Sequence, residues 1–367
     1  MSDEYHFYGA LPSYYSAKGR AYLQVKRLPY IDHGASTEVY LSVIVPMTGK
    51  AFIPVVITPA GEALQDTCDI IDELERRHPQ HPILPSDALL RFVSLLMEYY
   101  ADECLIYPGL HMRWHYDENR EWAISEFART NDPDSDAGLA RMAKFAARIE
   151  AFAEALGMSD PEGRQACRGV FDRLLQRLNV HFTHNSFLLG PSPSLGDIAL
   201  MGPLFGHFYR DLHSSHLMRR EAPYVCMWVE RMCHGNAAPV TTDWALDASA
   251  LVVFGEIGAG FARFTRDTQA ALDRCITSLA DGTPLPRIIA ENVDTTILGL
   301  PVRLRVINSY WAYKQQRMRD AYQAVPAADR SRVDRFLADI GCGGLFETPA
   351  AWRVKKNADG WLAVFRT

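Results

Sequence analysis

Residues 10–20 read ALPSYYSAKGR. An apolar run, YHFY (5–8), is followed by Pro12 and by two serines three apart, Ser13 and Ser16, at the start of a helix-patterned stretch over about 14–26. A dithiol redox protein would carry Cys-x-x-Cys in such a place. Neither position has sulfur here, which disfavours a redox mechanism at the pair. A hydroxyl at a helix start can cap a backbone N–H, or it can donate its proton to an anion in the positive field of the helix N-terminus. Tyr8, Tyr14 and Tyr15 are competing hydroxyls within a few residues.

Other chemistry-bearing residues form weaker patterns. The 7 cysteines (68, 104, 167, 226, 233, 275, 342) are scattered, with no Cys-x-x-Cys and no zinc-type spacing, and read as core thiols. Cys226 and Cys233 share a helical face but lie too far apart along it to bridge. His111 and His115 are four apart without a third ligand, so no metal is expected. Ser194-Leu195-Gly196-Asp197 has the spacing of a capping box and is expected to nucleate a buried helix.

Strand and helix periods alternate over the first ~80 residues: strands at 5–8, 28–31 and 53–57, a helix at 14–26, and a second from Asp66 to Arg77. Residues 32–52 read as irregular and TPAGEA (58–63) as a turn. HPQHPILPSD (78–87) holds three prolines in ten residues and reads as a linker. From Ala88 to about Gly235 nearly every window is helical, broken at NDPDSD (131–136), GMSDPEG (157–163) and LLGPSPS (188–194). Beyond 245 come a long helical stretch (249–280), two more helices (309–325 and 327–340) and an expected hairpin around Asn357-Ala358-Asp359-Gly360. The expected division is 1–82, 83–245 and a C-terminal extension, 246–367.

The chain has 367 residues, 48% hydrophobic and 22% charged, with a formal net charge of −6. Such a balance gives no electrostatic footprint for nucleic acid or anionic lipid. No run of ~18 uninterrupted apolar residues suggests a membrane span. The acidic start, MSDEYHFYGA, is not that of a secretory signal, and a cytoplasmic protein is expected.

Three runs together resemble the glutathione transferases: RAYLQVKRLPY (20–30), IPVVITPAGEALQDTCDIIDELERRHP (53–79) and the capping box at 194–197. The likeness covers roughly residues 5–235 and is nearest to serine-type, bacterial-like members with a long C-terminal extension. It implies a thioredoxin-like α/β N-terminal domain, an all-α C-terminal domain and an α+β extension, in a homodimer. It implies that Ile53-Pro54 holds the cysteinyl part of glutathione like an added strand, with the proline cis. Asp66-Thr67 would then take the γ-glutamyl end, although Asp is shorter than the usual Glu or Gln. Lys50, two residues further from Pro54 than the usual pattern, would meet the glycyl carboxylate. Ser13 would donate to the glutathione sulfur and lower its pKa, with Tyr8 or Tyr14 as the alternatives. Tyr99, Tyr107 and Trp114, with Tyr8 and Tyr14, would shape a pocket for an apolar electrophile. Two other readings stay open: a non-catalytic glutathione-binding or scaffold protein, and a reductase using Cys68.

Overall fold

The alternation over residues 5–77 folds as a four-stranded mixed sheet of order β2-β1-β3-β4. β1 (Tyr5–Gly9) runs parallel to β2 (Tyr30–Gly34) through the first helix, Tyr14–Val25, and antiparallel to β3 (Val55–Ile57); β3 pairs antiparallel with β4 (Ala63–Gln65). The computed structural model describes residues 4–131, 136–238, 241–357 and 360–366. Most of the expected breaker at 131–136, and the centre of the expected turn at 357–360, lie outside them. The chain forms two units, Met1–Pro85 with Met112–Glu150 and Leu178–Ala245, and Ser86–His111 with Ala151–Arg177 and Leu246–Thr367. The helical run expected as one domain over 83–245 therefore contributes to both.

In the first unit the period of two along β1 sorts its side chains. Tyr5, Phe7 and Gly9 are buried, and Phe7 lies against Gly19 of the first helix. Tyr8 instead packs on a cluster of Ala35, Ile44 and Val55, joined by Tyr40. That cluster includes a helical stretch over 37–48, where an irregular segment was expected. Arg27 turns the chain out of the first helix with a positive φ of 57°, and the Leu28 N–H donates back to Leu23. β2 accordingly starts at Tyr30 rather than Leu28. Residues 63–65, of which only Ala63 was expected in a turn and the other two were left unassigned, form the edge strand β4. The Thr67–Arg77 helix buries Ile70, Ile71 and Leu74.

The Leu195–Pro203 helix is entirely buried and starts at the expected capping box. One Asp197 oxygen accepts from the Ser194 N–H and hydroxyl, both at 2.9 Å; the other accepts from the Leu188 N–H at 2.8 Å and Trp228 Nε1 at 3.1 Å. This helix and its continuation lie close to the first helix because Gly202 and Gly206 face Tyr14. A Cβ on Gly202 would fall 2.8 Å from the Tyr14 ring, and one on Gly206 would fall 3.1 Å from Tyr14 Cα.

In the second unit the Ala248–Ile276 helix packs beside a hairpin of β5 (Ile288–Ile297) and β6 (Leu300–Asn308), turned at Leu298-Gly299 with both φ positive. Two helices, Tyr310–Gln323 and Ala327–Asp339, precede a second hairpin, β7 (Trp352–Lys356) with β8 (Leu362–Arg366). The extension is α+β, as expected. By length and composition the Ala248–Ile276 helix could cross a membrane, but more than half of its most apolar window is buried inside the protein. Phe254, Phe261 and Phe264 face inward, while Arg263 and Asp267 pair on the other side. That is the pattern of a core helix.

Candidate glutathione site

Strand register brings three of the sequence motifs to one end of the sheet. Tyr8 on β1 pairs with Val55 on β3, and Val55 pairs with Gln65 on β4. The chain leaving β1 towards Ser13, the Ile53-Pro54 step entering β3 and the Asp66-Thr67 step leaving β4 are thus neighbours. A Cβ on Gly19 of the first helix would lie 3.2 Å from Pro54 Cγ, and Lys18 Nζ donates to Cys68 Sγ at 3.8 Å. The middle of the first helix therefore lies against Pro54 and the first turn of the Thr67–Arg77 helix.

Ile53-Pro54 is a cis peptide bond. Among the described residues the Ile53 N–H and C=O have no backbone partner, because β3 pairing begins only at Val55. A donor and an acceptor are left at the entry end of β3, where an extended ligand can pair. Gln65, which the sequence reading passed over, braces the segment: its Nε2 donates to Phe52 O at 2.9 Å and to Thr48 Oγ1 at 3.3 Å. Thr48 Oγ1 also donates to Ile44 O and Lys50 O. No local pattern marks this pair, since Thr48 and Gln65 meet only through the fold.

Asp66 caps the Thr67–Arg77 helix, accepting from the Cys68 N–H at 2.9 Å, with φ +81° and ψ 122°. A non-glycine residue in that region is held there by its surroundings, and such strain concentrates at ligand sites. Thr67 is buried. Cys68 is fully buried, which leaves no open route for the disulfide exchange that a Cys68 reductase needs. Lys50 is half-buried in the loop before Ile53, with its N–H bonded to Thr48 Oγ1.

Ser13 is the N-cap of the first helix. Its Oγ accepts from the Ser16 N–H at 3.3 Å, its N–H donates to Ala10 O, and its carbonyl accepts from the Ala17 N–H. The cap bond engages the hydroxyl only as an acceptor, so its own proton can be donated. Ser16 is buried and accepts from the Ala10 N–H, which fixes the turn into the helix. The competing tyrosines have other surroundings. Tyr14 is buried edge-on against His207 beside Gly202. Tyr8 lies on the opposite face of the sheet from Phe7, stacked on His33 at 4.6 Å, and burial pushes its hydroxyl pKa up.

The expected electrophile pocket draws on residues with other packing. Tyr99 and Tyr107 belong to the second unit. Tyr99 OH bonds Thr265 Oγ1 at 3.2 Å, and Tyr107 is ringed by Phe261, Phe264 and Trp311. Burial raises both hydroxyl pKa values well above normal. Both side chains are core, because the extension supplies partners that the local sequence does not reveal. Trp114 is buried in the first unit.

Residues 7–82 match the model of the glutathione S-transferase N-terminal domain, and residues 146–236 match that of the C-terminal domain. No curated protein matches the chain. Similar solved structures include a glutathione S-transferase from Methylobacterium radiotolerans in complex with glutathione sulfonate (20% identity, TM-score 0.38, covering 65% of this chain and 96% of that one). Others are a glutathione S-transferase from Methylobacillus flagellatus with glutathione bound (20%, 0.37, 65% and 100%) and the beta-etherase LigF from Sphingobium sp. (16%, 0.47, 64% and 96%). Residues 7–82 and 146–236 thus carry the N- and C-terminal domains of the glutathione S-transferase family in order, with the four-stranded sheet of the first in place.

Proposed function

We propose that this protein is a cytoplasmic, homodimeric glutathione transferase that binds glutathione at the Ile53-Pro54 entry to β3 and ionises its thiol against Ser13. The observation that carries the reading is Ser13 itself. Its Oγ is held by the Ser16 N–H at a helix N-terminus, so the hydroxyl proton and the helix field both favour an anion in front of it. Ile53 would pair with the cysteinyl backbone, and Asp66, Thr67 and the helix start would receive the γ-glutamyl end, with Lys50 near the glycyl carboxylate. The thiolate would attack an apolar electrophile by addition or by displacement of a leaving group.

The test is calorimetric titration of the full chain with glutathione, followed by a pH titration of the thiolate absorbance of the complex. Binding with a thiol pKa well below the ordinary ~8.5 supports the reading. Binding with an unshifted thiol would leave a scaffold or carrier, and no binding at millimolar glutathione rejects the site altogether.

A further inference from the structure

We infer that Arg113 is the positioning residue for the Ser13 hydroxyl, an inference that rests on the role proposed for Ser13. Arg113 is 1% exposed and lies in the first unit. Its guanidinium makes four hydrogen bonds. Nε and Nη2 grip the two Asp211 oxygens at 2.9 and 2.8 Å, Nη2 also donates to Gly206 O at 2.6 Å, and Nη1 donates to Pro12 O at 2.6 Å.

The last bond bears on the site. Pro12 O is the carbonyl of the peptide whose nitrogen belongs to Ser13. Holding that carbonyl on a cation fixes the plane of the Pro12–Ser13 peptide and turns its negative end into the protein. The Ser13 N–H, which points the opposite way within the same plane, donates to Ala10 O at 3.1 Å. Gly206, the third acceptor, backs the same stretch, since a Cβ there would fall 3.3 Å from Ser13 O. One planar, always-charged fork thus ties the loop before Ser13 to the segment after the Leu195–Pro203 helix. Lysine cannot do so, because a single ammonium does not span three acceptors in fixed directions. A plain structural ion pair would need only Asp211. The short bond to a backbone carbonyl next to the proposed sulfur partner is what assigns the group to the site.

The experiment compares wild type, Ser13→Ala and Arg113→Lys as full chains. It reads the thiol pKa of bound glutathione by absorbance, glutathione affinity by calorimetry, and amide hydrogen exchange in the ligand-free protein. Arg113→Lys is expected to raise the thiol pKa by ~0.5 unit or more, about a threefold loss of thiolate. Affinity should change by less than about twofold, and the Ser16 and Ala17 amides should exchange faster. Should Arg113→Lys not fold, Asp211→Asn removes one anchor of the fork and keeps its donors; a smaller shift of the same sign is then expected. A folded variant whose thiol pKa and Ser16 and Ala17 exchange match wild type overturns the inference, and a shift in Ser13→Ala alone does so while leaving the Ser13 role standing. An unmoved thiol in Ser13→Ala overturns that role, and the positioning role with it.

Discussion

Ser13 carries two loads that substitution can separate. As an N-cap it contributes about 0.5–2 kcal/mol, and in the role proposed for it, as a donor to a thiolate, it would contribute about 1.5–3 kcal/mol. Ser13→Ala should therefore lower stability by about 1 kcal/mol and transferase kcat/KM by roughly 10- to 100-fold. Ser13→Asp keeps the cap acceptor but has no proton to give, so it should restore the melting temperature without restoring the rate. Activity that tracks stability across the two variants would reduce Ser13 to a cap. A second residue-scale effect is pH-dependent. His6 Nδ1 and His33 Nε2 lie 2.9 Å apart, and His33 is held below the ordinary histidine range by burial and then by His6. His78 is lowered too, by burial and then by Lys26 and Arg77. Because these pKa values are lowered on folding, the unfolded chain binds the protons first. The stability they contribute is fully present above the unfolded value of about pH 6.5 and is lost as pH falls below it through the lowered folded values. Melting temperature should drop between pH 7 and pH 5, and His33→Gln should remove part of that slope. An unchanged slope in His33→Gln and in His78→Gln would place the effect elsewhere.

Elements differ in how much of their anchoring lies within their own sequence. The capping box at 194–197 was legible because both its partners are three residues apart. The other two donors to Asp197, Leu188 and Trp228, are not readable locally, yet they make it a junction of loop and helices rather than a simple cap. Asp197→Ala would strand four donors in the core and should cost about 3–5 kcal/mol, enough to unfold a marginal domain. A thermal melt within about 2 °C of wild type would show that water or a rearranged loop takes over those bonds. The β strands were legible by type and less so by boundary. Apolar runs mark β1 and β3, but Pro54 and the positive φ at Arg27 decide where pairing begins, and neither effect is periodic. The short edge strand β4 was missed because its three residues follow turn chemistry and are held by β3 rather than by their own pattern. Gln65 went unread with it.

At the scale of the whole chain, sequence order and packing order part company. The helical period of residues 88–111 says that one face is buried, and it cannot say against what. The partners of Tyr99 and Tyr107 are Thr265, Phe261, Phe264 and Trp311, more than 150 residues downstream, so an aromatic stripe resembling a substrate pocket is the core of a unit that the extension completes. Lys314 adds a buried ion pair to Asp102 at 2.6 Å, and Arg173 on the Pro161–Phe182 helix pairs with Glu256. The extension is thus the larger part of a discontinuous unit, not an appendage to finished domains. Truncation at Ala245 should expose these rings and remove Lys314, the partner of Asp102. The expected outcome is an insoluble or molten 1–245 fragment, read by size exclusion and near-ultraviolet circular dichroism, and recovery when 246–367 is supplied as a separate chain. A 1–245 fragment that is monodisperse, melts cooperatively and binds glutathione as the full chain does would make the extension a dispensable addition. Failure of the fragment with recovery in trans would instead locate the folding information of residues 86–111 in the C-terminal third of the chain.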